Sequence, residues 1–287
     1  MIPADFDFVT VKSLDEALSL LAKHKDDAKI LAGGHSLLPA MKLRLAQPSL
    51  LVDLSKVKDL SYIREEGGQV KIGAMTTHFQ IESSELLKRI CPLLPETATH
   101  LGDMQVRNKG TMGGSLAHAD PAADWPAAVI ALGAEILAVS PKGERVIKAD
   151  DFFVEMMTSA LEPGEILKEI RFAAPKGKSG QAYVKFRHPA SGFAVVGIAV
   201  NLTAEGSKCG LCSIGVTGLA SKPYRATGVE AAMKGASLDG KSLSAAADHV
   251  ADGVRPNSDL FASGDYRKHL AQVYTRRALE AAASRAK

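Results

Sequence analysis

Ala32-Gly33-Gly34-His35-Ser36 and Thr111-Met112-Gly113-Gly114-Ser115 are the two stretches on which the reading of this chain turns. Each sets paired glycines beside a serine, and so offers backbone amides with no Cβ to obstruct an oxygen, plus a hydroxyl. A strand predicted over Ala28 to Ala32 runs into the first pair. Ser36 then stands where it can cap a short helix whose first turn tolerates Pro39, and the partial positive charge of that helix start favours an anion. One Gly-Gly pair alone reads as a tight turn. Two such turns brought together would cradle a pyrophosphate, the linkage shared by FAD and NAD.

Outward from these turns, strands and helices mix without regular alternation, which points to an α+β fold rather than a doubly wound sheet. Ser13-Leu-Asp-Glu16 is a capping box, and Leu14, Ala17, Leu18 and Leu21 follow the i, i+3, i+4, i+7 spacing of an amphipathic helix ending near Lys23-His24-Lys25. Leu50 to Leu54 reads as a strand, and Glu65-Glu-Gly-Gly68 turns Tyr62-Ile63 back into Val70-Lys-Ile72. A helix is expected around Ile81 to Ile90, stopping before Pro92, and another between Pro95 and Gly102. Asn108-Lys-Gly110 marks a turn. Asp124 can cap a helix with Pro126 in its first turn, and a hairpin of Glu135 to Val139 with Arg145 to Lys148 follows. After a strand from Ile166 to Phe172, the small and polar run Ala173 to Gly180 is the best linker, dividing the chain into 1–175 and 176–287. Beyond it, Ala182 to Phe186, Phe193 to Leu202 and Lys208 to Thr217 suggest an antiparallel sheet, with helices at Val229 to Lys234, Ser242 to Val250 and Tyr266 to Arg285.

Composition narrows the function classes. The 287 residues carry 35 Lys plus Arg against 32 Asp plus Glu, a net charge of +3 with no block of like sign, so no nucleic-acid partner is expected. The start, Met1-Ile-Pro-Ala-Asp-Phe-Asp, places acids where a secretory signal places positive charge. The most apolar run, Phe193 to Val200, is far shorter than a bilayer span, so no membrane insertion and a cytoplasmic location are expected. Three cysteines, Cys91, Cys209 and Cys212, do not build a disulfide framework. Cys209 and Cys212 fall three apart on a predicted strand, and so should face opposite ways. A 2Fe-2S cluster commonly takes four thiolates, so any such centre belongs to a partner.

Other chemistry finds little support. Gly33-Gly34-His35-Ser36 lacks the lysine of a P-loop, and no strand is followed by GxGxxG. The eight histidines show no HxxxH or HExxH spacing, so no metal site is expected. No GxSxG surrounds a serine and no base accompanies Cys91, so no catalytic residue is assigned. Asp120-Pro-Ala-Ala-Asp124 puts two carboxylates beside the second turn, where they can accept from sugar or ribityl hydroxyls. Taken alone, Asp120 reads as a turn residue before Pro121 and Asp124 as a helix cap.

Together, Ala32-Gly-Gly-His-Ser36, Gly102-Asp-Met-Gln-Val-Arg-Asn-Lys-Gly-Thr-Met-Gly-Gly-Ser115 and Ala119-Asp-Pro-Ala-Ala-Asp124 resemble the FAD-binding medium subunit of the molybdenum hydroxylases, the family of bacterial CO dehydrogenase and xanthine dehydrogenase-type enzymes. The resemblance runs from Ile2-Pro to the terminal helix. It implies an FAD domain of the PCMH, or vanillyl-alcohol oxidase, type over 1–175, made of two α+β subdomains with the flavin between them. A C-terminal domain over 176–287, with a three-stranded antiparallel sheet and helices, would follow. By motif match, Ala32, Gly33, Gly34, His35 and Ser36, with Thr111, Gly113, Gly114 and Ser115, would hold the pyrophosphate. Asp124 matches a flavin-contacting carboxylate, Leu161 a backbone contact, and Lys185 the lysine beside the isoalloxazine, where its charge would stabilise the reduced flavin. From the residues alone, Lys185 reads as an exposed strand residue.

The resemblance would also put Phe193 near the flavin, at a position where CO dehydrogenase medium subunits tend to carry Tyr or Trp. Phe193 can pack against a ring but donates no hydrogen bond, so the resemblance does not single out CO as the substrate. The partners implied are a molybdopterin-bearing large subunit and a small subunit with two 2Fe-2S clusters, assembled as a dimer of heterotrimers. This chain's FAD would collect electrons from the clusters and pass them to an external acceptor. A self-sufficient FAD oxidoreductase of the same superfold and a non-enzymatic nucleotide-binding module remain the other readings.

Overall fold

Ser13 starts the first helix as expected: its Oγ accepts from the Glu16 N–H at 3.2 Å, and Leu14–His24 buries Ala17, Leu18 and Leu21. The Glu16 carboxylate closes back on the Lys12 N–H at 2.8 Å, one residue outside the expected capping box. This helix joins two strands, Asp7–Thr10 and Ala28–Leu31, that both pair in parallel with a central Leu50–Asp53. The computed structural model from which these contacts come describes residues 1–175 and 177–286; Lys176, inside the expected linker, and Lys287 lie outside them.

A five-stranded antiparallel sheet forms the second layer, in the order Ile63–Glu66, Gln69–Gly73, Ile166–Ala173, Glu135–Ser140, Gly143–Lys148. Both expected hairpins are present, and Ile166–Ala173 lies between them as the strand that unites the sheet. The helix expected around Ile81 to Ile90 is two helices, His78–Ser83 and Glu85–Ile90. Ser84 ends one and caps the next, its hydroxyl accepting from the Leu87 N–H at 3.3 Å. Met104–Lys109 is a further helix where only a turn was expected, capped by Asp103 accepting from the Val106 N–H at 2.8 Å.

The second half carries Ser179–Arg187, Ala194–Glu205, Lys208–Thr217 and Tyr224–Arg225 in one sheet. The expected three strands therefore become four, since a two-residue edge strand has no alternation to read. The expectation for Cys209 and Cys212 also fails. Cys212 pairs with Leu202 and Cys209 with Ala204, so three steps along one strand match two along the other. This bulge returns both cysteines to one face, and both pack on the second-half core.

The helix Asp124–Ala131 is buried along its whole length and lies on this sheet. Gly215 allows the approach, because a Cβ there would come within 2.8 Å of the Ala127 carbonyl carbon. The Pro121 and Ala123 carbonyls both accept from Thr217 Oγ1 at 2.7 Å. Tyr183 and Ala199 of the second sheet belong to the same core cluster as Trp125 and the five-stranded sheet. Among the described residues, no helix is long and apolar enough to cross a membrane.

Candidate functional site

The chain leaves Ala28–Leu31, turns at Gly34 with φ of 78°, and enters the short helix Leu37–Lys42. Gly33 is glycine for a different reason. A Cβ on it would lie 2.6 Å from Gly110 Cα, so the first turn rests directly on the backbone that leads into the second. Gly114 completes the approach, its Cβ position lying 3.4 Å from the Ala32 Cβ. The two glycine turns are neighbours in space.

Their hydrogen-bonding states differ. Among the described residues, none accepts from the backbone N–H groups of Gly33, Gly34, His35 or Ser36. Ser36 sits at the helix start without making a side-chain cap bond, contrary to expectation, so its hydroxyl is also unengaged there. In the second turn the amides from Met112 to Ser115 have acceptors within the protein. Met112 N–H donates to the Thr76 carbonyl at 3.0 Å, Gly113 N–H to Ala74 at 2.9 Å, and Gly114 N–H to Thr111 Oγ1 at 3.2 Å. The expectation of two equivalent amide cradles is corrected. Among the described residues the first turn presents four free amides and the second one, that of Thr111, because Met112 and Gly113 are sutured to the segment Ala74–Thr76. A Cβ on Gly113 would lie 2.6 Å from the Ala74 Cβ, so this glycine serves that packing.

Beneath the second turn lies a residue the sequence reading missed. His78 is 5 % exposed, and its Nδ1 accepts from the Trp125 indole N–H at 3.0 Å. Tryptophan only donates, so the imidazole proton is on Nε2. Burial, with His35 and Arg107 nearby, pushes the His78 pKa down to about 4, which keeps the ring neutral. Sequence offered one local signal, the capping box of Thr77 with Gln80, which places a helix start but says nothing of the ring.

Trp125 adjoins Asp124, and Asp124 anchors a second group. Lys185 Nζ donates to both carboxylate oxygens, at 2.9 and 2.8 Å, and to the His100 carbonyl at 3.0 Å. The Tyr183 hydroxyl also donates to Asp124. Burial raises the Asp124 pKa, against the pull of Lys185 and Tyr183, and burial next to this carboxylate raises Tyr183 well above its usual range. Two expectations change here. Asp124 caps no helix, the cap position being Ala123 without a side-chain bond. Lys185 is no exposed strand residue: its side chain is buried and paired with Asp124.

Asp120 and Phe193 meet elsewhere, in a cleft of about 470 Å³ also lined by His188, Asn257, Asp259 and Arg267. Asp120 Oδ1 accepts from the Ala122 N–H at 2.8 Å, the turn geometry expected before Pro121. Phe193 is 47 % exposed. Arg267 holds the cleft wall, donating to the Val195 carbonyl at 2.8 Å and the Gly218 carbonyl at 3.0 Å and pairing with Asp259. Leu161 packs with Ala160 on the core that contains Trp125. His35 is exposed, while Thr111 is buried and Ser115 half-buried.

Two family models match this chain. Residues 4–175 match the family described as the FAD binding domain in molybdopterin dehydrogenase, and residues 181–282 the CO dehydrogenase flavoprotein C-terminal domain. The carbon monoxide dehydrogenase medium chain of Afipia carboxidovorans is 42% identical over 100% of both chains. The 6-hydroxypseudooxynicotine dehydrogenase complex subunit alpha of Paenarthrobacter nicotinovorans is 36% identical, over 100% of this chain and 97% of its own. A solved carbon monoxide dehydrogenase from Hydrogenophaga pseudoflava, lacking the Mo-pyranopterin moiety of its molybdenum cofactor, superposes with a TM-score of 0.96 at 41% identity, covering 99% of each chain.

Proposed function

Since this chain belongs to the FAD-binding medium subunits of the molybdenum hydroxylases, we propose that it is the electron-transfer subunit of a cytoplasmic heterotrimer. Its partners would be a molybdopterin-bearing large subunit and a small subunit with two 2Fe-2S clusters, two such heterotrimers pairing. Residues 1–175 would form the flavin domain and 176–287 the domain that closes its far side. The observation that carries this reading is the first glycine turn, whose four amides have no acceptor among the described residues and whose Gly33 rests on the backbone leading into the second turn. Backbone donors in that number, left without protein acceptors, suit the oxygens of a diphosphate.

When bound there, FAD would supply a two-electron store that can be filled one electron at a time. The chain's own residues do the rest. Gly33 to Ser36 would donate to the diphosphate, and Thr111 and Ser115 would contribute hydroxyls. The Asp124–Lys185–Tyr183 group would hold the cleft side of the site rigid as a neutral assembly rather than as a free charge. Asp120 and Phe193 would border the route by which an external acceptor approaches. Relatives whose names specify carbon monoxide and 6-hydroxypseudooxynicotine share this chain over nearly its whole length, which supports substrate choice residing in the large subunit.

Purification of the tagged chain from its native source, followed by subunit identification and a visible spectrum, tests the proposal. Two further subunits and one FAD per chain are expected, with the flavin spectrum bleached by the oxidisable substrate. A chain that emerges alone and takes up no FAD contradicts it.

A further inference from the structure

Resting on the flavin-binding reading above, we propose that His78 is an additional donor to the diphosphate bridge, its Nε2–H held in place from behind by Trp125. Three observations converge on it. First, Nδ1 is committed to the indole N–H at 3.0 Å, so the ring can neither rotate nor exchange its tautomer without losing that bond. Second, Nε2 has no hydrogen-bond partner among the described residues and is not one of their polar atoms sealed from solvent, although the residue as a whole is 5 % exposed. This N–H is thus open to an acceptor that a ligand brings. Third, Nε2 lies at the meeting point of the turns. It stands 2.6 Å from the Cβ position of Gly110, whose Cα lies 2.6 Å from the Cβ position of Gly33.

The chemistry suits the ligand. A neutral imidazole donates one hydrogen bond to an anionic oxygen without adding a charge that varies across the physiological range. The groups facing His78 are Trp125 behind it, Gly110 above it, and the side chains of His35 and Arg107 nearby, with Arg107 paired to Glu82 at 2.7 Å. The ring therefore complements the free amides of Gly33 to Ser36 from beneath the second turn, where the donors of Met112 to Ser115 are already satisfied.

Two substitutions separate a donor from a structural filler. In His78→Asn the amide reaches only to the depth of Nδ1, so it can still meet Trp125 but has nothing at the Nε2 position. In His78→Gln the amide nitrogen reaches the Nε2 position. The full-length apo chain is titrated with FAD and, separately, with ADP, which carries the diphosphate without the flavin ring. His78→Asn is expected to weaken both ligands by about ten- to hundredfold, the loss of one hydrogen bond to a charged group. His78→Gln is expected to stay close to the parent chain. Unchanged affinities in both variants, or a loss confined to FAD, overturn the proposal. If His78→Asn melts early in its apo form, the Gln variant decides alone: a well-folded Gln chain that binds ADP as weakly as the Asn chain overturns it. A parent chain that binds neither FAD nor ADP would instead refute the flavin reading itself.

Discussion

Lys185 and Asp124 have side chains exposed to only 1 and 4 %, and each survives there because of the other. Removing one partner leaves a buried charge uncompensated, at a cost of about 3–5 kcal/mol. Lys185→Met is therefore expected to lower stability by roughly that amount in urea unfolding, and adding Asp124→Asn to restore part of it. Equal stabilities for the single and double variants would show that the pair is not coupled. His78 makes a second contribution at this scale, visible through pH. Its native pKa, about 4, lies below the ordinary 6.5, so between these values the unfolded chain binds the extra proton. The contribution is complete above about pH 6.5 and fades as pH falls towards 4. A gap of that size corresponds to about 3 kcal/mol. Between pH 7 and pH 4.5 the His78→Gln chain should lose less stability than the parent, and parallel losses would place the acid sensitivity elsewhere.

The two glycines of the first turn behave differently as parts of an element. Gly34 holds a left-handed φ of 78°, and its nearest obstacle is the flexible end of the Leu38 side chain. Gly34→Ala should cost about 1–2 kcal/mol with the site largely kept. Gly33 faces the Lys109–Gly110 backbone, which has no room to yield, so Gly33→Ala should separate the turns and abolish FAD retention. Retention in Gly33→Ala equal to that in Gly34→Ala would show that the close approach is unnecessary. Much of this element was legible: a glycine pair after a strand and before a serine announces a turn that presents amides. Which turn keeps its amides free was not, because the answer depends on the Ala74 and Thr76 carbonyls, far off in sequence. The same limit hid the bulge that turns Cys212 to the side of Cys209, and the two-residue strand Tyr224–Arg225. His78 was the least legible, since its tautomer is set by an indole that only the tertiary fold brings near.

Across the whole molecule, the segment Asp120 to Asp124 joins what the sequence divides. Its carbonyls accept from Thr217, its carboxylate pairs with Lys185, and the following helix is buried against the sheet of the second half. Tyr183 and Ala199 share the core of Trp125. A boundary drawn near residue 175 thus marks a linker in the chain but not a gap in packing, and calorimetry should give one unfolding transition. Two well-separated transitions would mean that the halves fold independently. The asymmetry of the turns can be read directly by amide-resolved hydrogen exchange of the apo chain with and without FAD. The backbone amides of Gly33, Gly34, His35 and Ser36 should exchange quickly alone and become protected with FAD, while those of Met112, Gly113 and Gly114 should be slow in both. If the first set exchanges equally fast with saturating FAD, the diphosphate is not held where the two turns meet.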